Sequence, residues 1–334
     1  MTALRFHDQA PPDWDERVGS SFLFTGFAAA GEEVGHRAWF IEDDDDLALV
    51  LVRRVPIPLL GRWTGRAKVF TARRHPGFLR RLADALARRG VVHMLVGDHQ
   101  HPWEGRWPEP WAHFKREARH TTLVDEVQSP PEQFLARRAV VRKNLGKARR
   151  ANVEVTEART PADIEAACAL IAETSVRIHA QGVHFVYPNE HVRALARHMV
   201  PRGQASILIA HAEGRPLCAH VYFLERDRHV YFHGGSTRDR ALTPKQGPTA
   251  MVWAAMARAR ACGCTVVELG GVALDVPSQA GLVEFKRQWG RFVVAEVAYV
   301  DLAPRAVRLQ ERLLYPAWRY VHPLYIQAFG RRAS

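Results

Sequence analysis

The order of predicted secondary structure occurs twice along this chain, and that duplication most constrains the fold. In the first half, an amphipathic helix and an apolar strand follow three strand-like runs: 37–41, 47–55, 67–72, then 75–90 and 91–98. The second half repeats the order: 205–212, 216–225, 229–236, then a helix at 249–263 and a strand at 265–272. Strands that feed a helix and a further strand predict an α+β (mixed α/β) fold with a mixed sheet. The chain has no short-period repeat, and its 334 residues suit two such domains.

A basic helix is predicted between the two units, over residues 131–150. Four apolar residues fall on one face at helical spacing: Phe134, Val141, Leu145 and Ala148. The opposite side carries cations: Arg138, Arg142, Lys143, Lys147, Arg149 and Arg150. Together with a formal net charge of +12, this helix predicts a polyanionic partner, either nucleic acid or an anionic membrane surface. A second helix is predicted to begin after Thr160 as N-cap, with Pro161 in its first turn and Asp163 completing a capping box.

Cysteine usage and hydropathy indicate the compartment. Cys168, Cys218, Cys262 and Cys264 match neither a disulfide framework nor a zinc-binding spacing, which favours a reducing environment. The N-terminal stretch is charged from residue 5, and the longest aliphatic runs are far too short to cross a bilayer. We therefore expect a cytoplasmic protein.

Two polar clusters resemble metal sites, but we expect neither to bind a metal ion. The Asp43–Asp46 run separates two strands and has no further ligands near it in sequence, which favours a solvated hairpin turn. His93, His99 and His101 lie in or after an apolar strand, and we expect them at the surface or in hydrogen bonds.

The stretch "GLVEFKRQWG", residues 281–290, places one lysine between an aromatic residue and a Trp-Gly pair. One interpretation is structural: a helix C-terminus with Gly290 as its left-handed cap and basic residues near the last carbonyls. The other is functional, with Lys286 as a charged donor at a site.

Several motifs in a fixed order resemble those of the FemABX family of aminoacyl-tRNA-dependent transferases, which build the cross-bridges of bacterial peptidoglycan. They are the two β-β-β-α-β units, "RKNLGKARRANVEV", "VYFHGGSTRDRALTPKQGPTAMVW", "ELGGV" and "GLVEFKRQWG". The resemblance runs from about Val124 to Val293 and extends more faintly over the first unit. It implies two tandem GNAT-like (acetyltransferase-like) domains, without the coiled-coil arm of some members.

The resemblance also implies how the chain divides into domains. A C-terminal helix, predicted from about residue 303 until Pro316 breaks it, would fold back on the first domain. Residues 1–145 together with 303–334 would then form the acceptor-side domain, and residues 146–302 the aminoacyl-tRNA side.

Site residues follow from the same resemblance, position by position. Phe285 and Lys286 fall on the family's Phe-Lys pair beside the 3′ end of the aminoacyl-tRNA. Lys286 would stabilise the developing oxyanion or contact a terminal phosphate or ribose, and Phe285 would stack on the terminal adenine. Asp98 falls where the family has an aspartate at a strand end, and would orient the attacking amine. The expected tRNA-binding residues are Arg142, Lys143, Lys147, Arg150 and Lys245, and the expected acceptor-binding residues are Tyr187, His191 and Arg238.

The sequence departs from the family at the acceptor site. Members that act on nucleotide-linked or lipid-linked cell-wall precursors hold a pyrophosphate with a lysine in the first domain and an arginine in the second. Residues 22–40 contain no lysine, and residues 182–192 contain no arginine. Without these cations a pyrophosphate would bind weakly, so we expect a different peptide-like acceptor, such as a peptidyl natural product.

The predicted activity is an aminoacyltransferase that joins a tRNA-borne amino acid to an amine of this acceptor. We expect a monomer with no metal or organic cofactor, and peripheral membrane contact only if the acceptor is lipid-linked. Two alternatives stay open. A CoA-dependent N-acyltransferase would need a pyrophosphate-binding loop before a helix, for which "RWTGRA" (62–67) and "LTPKQGPT" (242–249) are the candidates. A non-catalytic protein binding RNA or a membrane surface would use the basic helix, with Trp318, Tyr320 and Tyr325 as interfacial aromatics.

Overall fold

The computed structural model describes residues 4–44, 46–57, 62–73, 75–97, 103–104, 114–180 and 189–303. Asp98, Tyr187 and the C-terminal segment, including its three interfacial aromatics, lie outside these residues, as do His99 and His101. The elements of the first half are β1 (Arg5–His7), α1 (Trp14–Val18), α2 (Thr25–Glu33), β2 (Arg37–Glu42), β3 (Leu47–Ile57), β4 (Arg62–Thr71), α3 (Pro76–Arg88), β5 (Val91–Val96), β6 (Trp103–Glu104) and β7 (Phe114–Val124).

The second half begins with the helices that precede its strands. Its elements are α4 (Pro131–Ala136), α5 (Ala139–Arg150), β8 (Glu154–Glu157), α6 (Pro161–Ala180), α7 (Asn189–His198), β9 (Ala205–Ala212), β10 (Arg215–Leu224), β11 (Arg228–Ser236), α8 (Gly247–Ala261), β12 (Val266–Val272), α9 (Ala280–Arg287) and β13 (Arg291–Asp301). The predicted α+β class and the β-β-β-α-β order of both units are confirmed.

Both units use the same pairing. In each, three strands pair antiparallel (β2–β3–β4 and β9–β10–β11), and the helix that follows returns the chain to a parallel fourth strand (β5 and β12). A tight turn can join only antiparallel neighbours, so the parallel fourth strand needs a longer crossover connection, which the helix provides. Burial on both faces of β3, at Leu49, Val50 and Leu51, reflects helices or loops packed on each side of the sheet.

The two units exchange their closing strands. The described strands form one sheet in the order β1-β2-β3-β4-β5-β13-β7-β12-β11-β10-β9-β8, with β6 paired to β13. β7, which follows β5 in the chain, pairs with β12 of the second unit, whereas β13, which follows β12, pairs with β5 of the first. β7 and β13 also pair with each other from Arg291↔Leu123 to Val300↔Phe114.

The units also share one apolar core. Trp14, Phe27 and Phe70 of the first unit lie in the same buried cluster as Phe223 and Phe232 of the second. Phe223 and Phe232 stack with their ring centroids 4.4 Å apart, and Phe27 contacts both edge-on. The two units are therefore joined by buried aromatic packing as well as by strand pairing.

Two local predictions are wrong at particular residues. In the Asp43–Asp46 turn Asp44 is exposed, as a solvated turn requires, but Asp43 and Asp46 are buried. Arg81 contacts the Asp43 carboxylate at 2.5 Å, and the Asp46 carboxylate accepts the backbone N–H groups of Leu47 and Arg73 at 2.8 and 2.7 Å. Burial raises the pKa of Asp46 to about 6.

The single helix predicted over 131–150 is two helices, α4 and α5. Arg138 lies between them with a non-helical backbone (φ −129°, ψ 73°). Its side chain is only 19% exposed, unlike the exposed cations with which its spacing grouped it. The capping box at the start of α6 is confirmed, with reciprocal Thr160–Asp163 hydrogen bonds of 3.0 and 3.2 Å. All four cysteines are free.

Candidate active site

A gap opens in the second unit where its two parallel strands stop pairing. β11 and β12 pair only over Arg228–Val230 and Val266–Glu268. Beyond Glu268, β7 is the one partner of β12 among the described strands, and the register shifts between Glu268 and Gly271. Gly270 takes a φ of +73°, a conformation that glycine adopts at little cost. This irregularity turns backbone carbonyls of β12 away from the regular ladder.

Lys286 binds those carbonyls. Its Nζ donates to the carbonyl oxygens of Gly270 at 2.9 Å and Gly271 at 3.0 Å, and the residue is only 5% exposed. Burial lowers the pKa of Lys286 from 10.5 to about 7, although the nearby Glu268 carboxylate acts in the opposite direction. Glu268 is held by the Thr121 hydroxyl at 2.9 Å. A buried amine that is charged and neutral in comparable amounts near neutral pH is suited to proton transfer.

Gly290 is not the left-handed cap of α9. Its φ is not positive; instead, a Cβ at this position would lie 2.1 Å from the carbonyl oxygen of Leu123. The glycine is needed because the chain passes directly against β7 here. The preceding turn is closed by Trp289, whose N–H donates to the carbonyl of Lys286 at 3.0 Å.

Phe285 and Lys286 are adjacent in sequence but face different surroundings. The Phe285 ring is half-buried and packs against Trp289 at a centroid distance of 6.3 Å. Trp289 is fully buried and packs against Phe134 of α4, also at 6.3 Å. Part of Phe285 is therefore core, and its stacking on a terminal adenine stays a prediction.

The cations expected to bind tRNA lie mostly on the exposed face of one helix. On α5, Arg142, Lys143, Lys147 and Arg150 are exposed, and no carboxylate pairs with them among the described residues. Lys245 lies in a turn that contacts α5, but it is only 16% exposed and binds Glu213 at 2.5 Å. The unpaired charge available to an anion is thus concentrated on α5.

The expected acceptor residues do not form one site among the described residues. His191 is buried between Phe27 and Phe232, with ring centroids 5.9 Å away in each case. Arg238 is exposed, and its backbone N–H donates to Glu173 at 2.8 Å. Glu173 and Thr237 line a cavity of about 280 Å³ beside α6, so Arg238 borders an open space.

Two contacts at this site carry no local sequence signal. Arg138 belongs to the surroundings of Lys286, because its Nε donates to the carbonyl of Trp289 at 3.2 Å. Glu268 and Thr121 meet through the exchanged strand β7. Only the register of β7 against β12 brings Glu268 and Thr121 together.

Neither a metal site nor a membrane span is found where the structure is described. In that part of the chain, no group of three or more histidine, cysteine, aspartate or glutamate residues could hold a metal ion. No described helix combines the length and the apolar character needed to cross a bilayer. His93 hydrogen-bonds Asp301 at 3.0 Å across β5 and β13, as expected for a hydrogen-bonded histidine.

Comparison with known proteins places this site in a GNAT-type domain. Residues 136–287 match the model of the acetyltransferase (GNAT) domain, and this span contains α5, the strand gap and Lys286. A search of the curated proteins gives no significant match.

Solved structures match over both units. The crystal structure of FemX has a TM-score of 0.63 at 13% identity, covering 92% of this chain and 99% of that one. A conserved protein of unknown function from Bacteroides thetaiotaomicron has a TM-score of 0.55 at 14% identity, covering 89% and 99%. L-PGS from Bacillus licheniformis has a TM-score of 0.51 at 13% identity, covering 83% and 89%. The chain therefore has a FemABX-like double GNAT fold, and the GNAT-type domain supports acyl transfer as its reaction class.

Proposed function

We propose that this protein is an aminoacyltransferase that moves an amino acid from the ester of an aminoacyl-tRNA to an amine of a peptide-like acceptor. The observation that carries the proposal is the Lys286 amine, buried at the gap between β11 and β12 and held by two carbonyls. The unpaired cations of α5 and the likeness to FemX and L-PGS are consistent with it.

In this proposal Lys286 carries out both proton transfers that the reaction needs. Two of its N–H groups are directed at Gly270 and Gly271, which leaves one position on the nitrogen. In the neutral amine this position is a lone pair, which accepts a proton from the attacking amine. In the ammonium form it is an N–H, which stabilises the oxyanion and then protonates the departing ribose oxygen. A new amide bond forms, the ester bond breaks and free tRNA leaves.

CoA use is less consistent with the two candidate loops. "RWTGRA" lies inside β4, so no helix N-terminus stands behind it. At the start of α8, the N–H groups of Thr249 and Ala250 both donate to the carbonyl of Gln246 at 3.1 Å, and Pro248 has no N–H. Few backbone donors are left to hold a pyrophosphate there.

A transfer assay tests the proposal directly. Bulk tRNA charged with radiolabelled amino acids is incubated with the protein and either a panel of dipeptides or UDP-MurNAc-pentapeptide, and the label in the products is counted. We expect transfer to dipeptides without CoA, and little transfer to the UDP-linked peptide, because residues 22–40 and 182–192 lack the two cations.

The other outcomes each identify an alternative. Acetylation of the dipeptides from acetyl-CoA, without transfer from tRNA, would replace this proposal with CoA-dependent chemistry. Tight tRNA binding without any transfer would indicate a non-catalytic RNA-binding protein. Efficient labelling of UDP-MurNAc-pentapeptide would keep the chemistry but assign a cell-wall acceptor.

A further inference from the structure

Arg138, at the break between α4 and α5, contacts three separate parts of the chain. Its Nη atoms donate to both carboxylate oxygens of Glu126, at 3.1 and 3.2 Å, and its Nε donates to the carbonyl of Trp289 at 3.2 Å. The guanidinium carbon also lies 4.1 Å from the centre of the Phe134 ring. A planar guanidinium can make all of these contacts at once, which an ammonium group cannot.

Trp289, which Arg138 contacts, is in turn hydrogen-bonded to Lys286. The N–H groups of Trp289 and Gly290 both donate to the carbonyl of Lys286, at 3.0 and 3.3 Å. Trp289 is fully buried, and Gly290 passes against β7. The turn that follows Lys286 is therefore fixed on one side by β7 and on the other by Arg138.

We propose that Arg138 is a positioning residue that holds the turn after α9, so that the Lys286 amine stays on the carbonyls of Gly270 and Gly271. This inference rests on the proposed function for its catalytic consequence, but the positioning itself is measurable without any substrate. Arg138 is also the N-cap residue of α5, so the start of this cationic helix lies one hydrogen bond from the turn that follows Lys286.

Arg137 provides a matched control. It precedes Arg138 in the chain and also binds Glu126, at 2.6 Å, but its side chain is 57% exposed against 19% for Arg138. Among the described residues it makes no hydrogen bond to Trp289. Arg137→Gln and Arg138→Gln each remove one positive charge beside Glu126. Only Arg138→Gln also removes the hydrogen bond to the carbonyl of Trp289.

The main measurement is the titration of the Lys286 side chain by NMR. The chain has six lysines, at positions 68, 115, 143, 147, 245 and 286, so labelling lysine Cε gives few signals, and Lys286→Met assigns the one that disappears. In Arg138→Gln we expect water to reach the amine and its midpoint to rise by about one pH unit or more toward the ordinary lysine value. Arg137→Gln should titrate as the wild type does.

Transfer kinetics give the second measurement, with bulk aminoacyl-tRNA and dipeptides as substrates. We expect Arg138→Gln to lower kcat by about 100-fold through misplacement of the amine, while KM for the tRNA stays within about twofold. Arg138→Lys should recover little, because it cannot reproduce the forked contacts. If Arg138→Gln does not fold, Arg138→Lys, which keeps the charge, serves for both measurements.

An unchanged Lys286 midpoint in a folded Arg138 variant overturns the inference, as does an equal change in Arg137→Gln. A shifted midpoint in a protein whose wild type transfers nothing would instead refute the proposed function and leave the positioning role standing.

Discussion

At the scale of single residues, Lys286 differs from an ordinary helix-end lysine because it is buried. A cation near a helix C-terminus contributes about 1 kcal/mol or less through the dipole, and such a residue is normally solvated. Lys286 is instead directed at the Gly270 and Gly271 carbonyls, with a pKa of about 7. Such an environment is more typical of a functional amine than of a stabilising one.

Replacement of Lys286 by methionine should reduce transfer. We expect the single-turnover rate to fall by about 100- to 1000-fold, the usual loss when one transition-state donor is removed. Arg287→Met is the control, because Arg287 is the next residue on α9, is 61% exposed and contacts Glu284. A folded Lys286→Met protein with the wild-type rate would show that the lysine is not needed for transfer and has only a structural role.

The same burial should make stability depend on pH. Folding lowers the pKa of Lys286 from 10.5 to about 7, so between these values the unfolded chain binds the extra proton. The free energy of unfolding that this residue contributes must therefore rise with pH across that window. The unfolding free energy of the wild type minus that of Lys286→Met should therefore increase by up to about 1.4 kcal/mol per pH unit. Denaturant titrations at about pH 7, 8 and 9 measure it, and a constant difference would mean that the amine is solvated.

At the scale of elements, α5 is a cationic surface without matching carboxylates among the described residues. If tRNA binds there, its affinity must fall with salt as counterions are displaced from phosphates. We expect Lys143→Glu, Lys147→Glu and Arg150→Glu together to weaken binding to any tRNA and to reduce the slope of log K against log salt by about 3.

The control for this variant is an equal charge change elsewhere, at Arg54, Arg80 and Arg88, which are exposed on β3 and α3. Filter binding at several salt concentrations compares the two triple variants. Wild-type tRNA affinity in the α5 variant would show that this helix does not bind the tRNA.

Elements were predictable from sequence where the pattern that specifies them lies in residues close together in the chain. The capping box of α6, the duplicated strand order and the apolar face of α5 are all read from neighbouring residues. The break at Arg138 was not, because its stabilising partners, Glu126 and Trp289, come from other parts of the chain. The buried Asp43 was missed for the same reason, since Arg81 on α3 neutralises it. The position of Lys286 in the chain was predictable, but its environment depends on the register of β7 against β12.

At the scale of the whole molecule, the exchanged strands join the two units. A fragment of residues 1–151 would lack β13, the partner of β5, and a fragment of residues 152–334 would lack β7, the partner of β12. Each fragment would also expose its half of the shared aromatic core.

We expect neither fragment to fold alone and a mixture of the two to recover the native near-ultraviolet circular dichroism. A fragment that unfolds cooperatively by itself would show that the exchanged strands are dispensable. The domain division drawn from the sequence, residues 1–145 with 303–334 against 146–302, stays a prediction.

The exchange of β7 and β13 also sets the time at which this protein can fold during its synthesis. β5 ends at Val96, and its partner β13 begins at Arg291, so roughly 200 residues must be translated between them. At about 5–20 residues per second, the ribosome needs on the order of 10–40 s for that stretch. Throughout this interval the residues of β5 lack their partner strand β13, so their N–H and C=O groups on that side can pair with other chains. Slower translation lengthens this exposure, and chaperones that shield nascent chains should matter most between the emergence of β5 and that of β13.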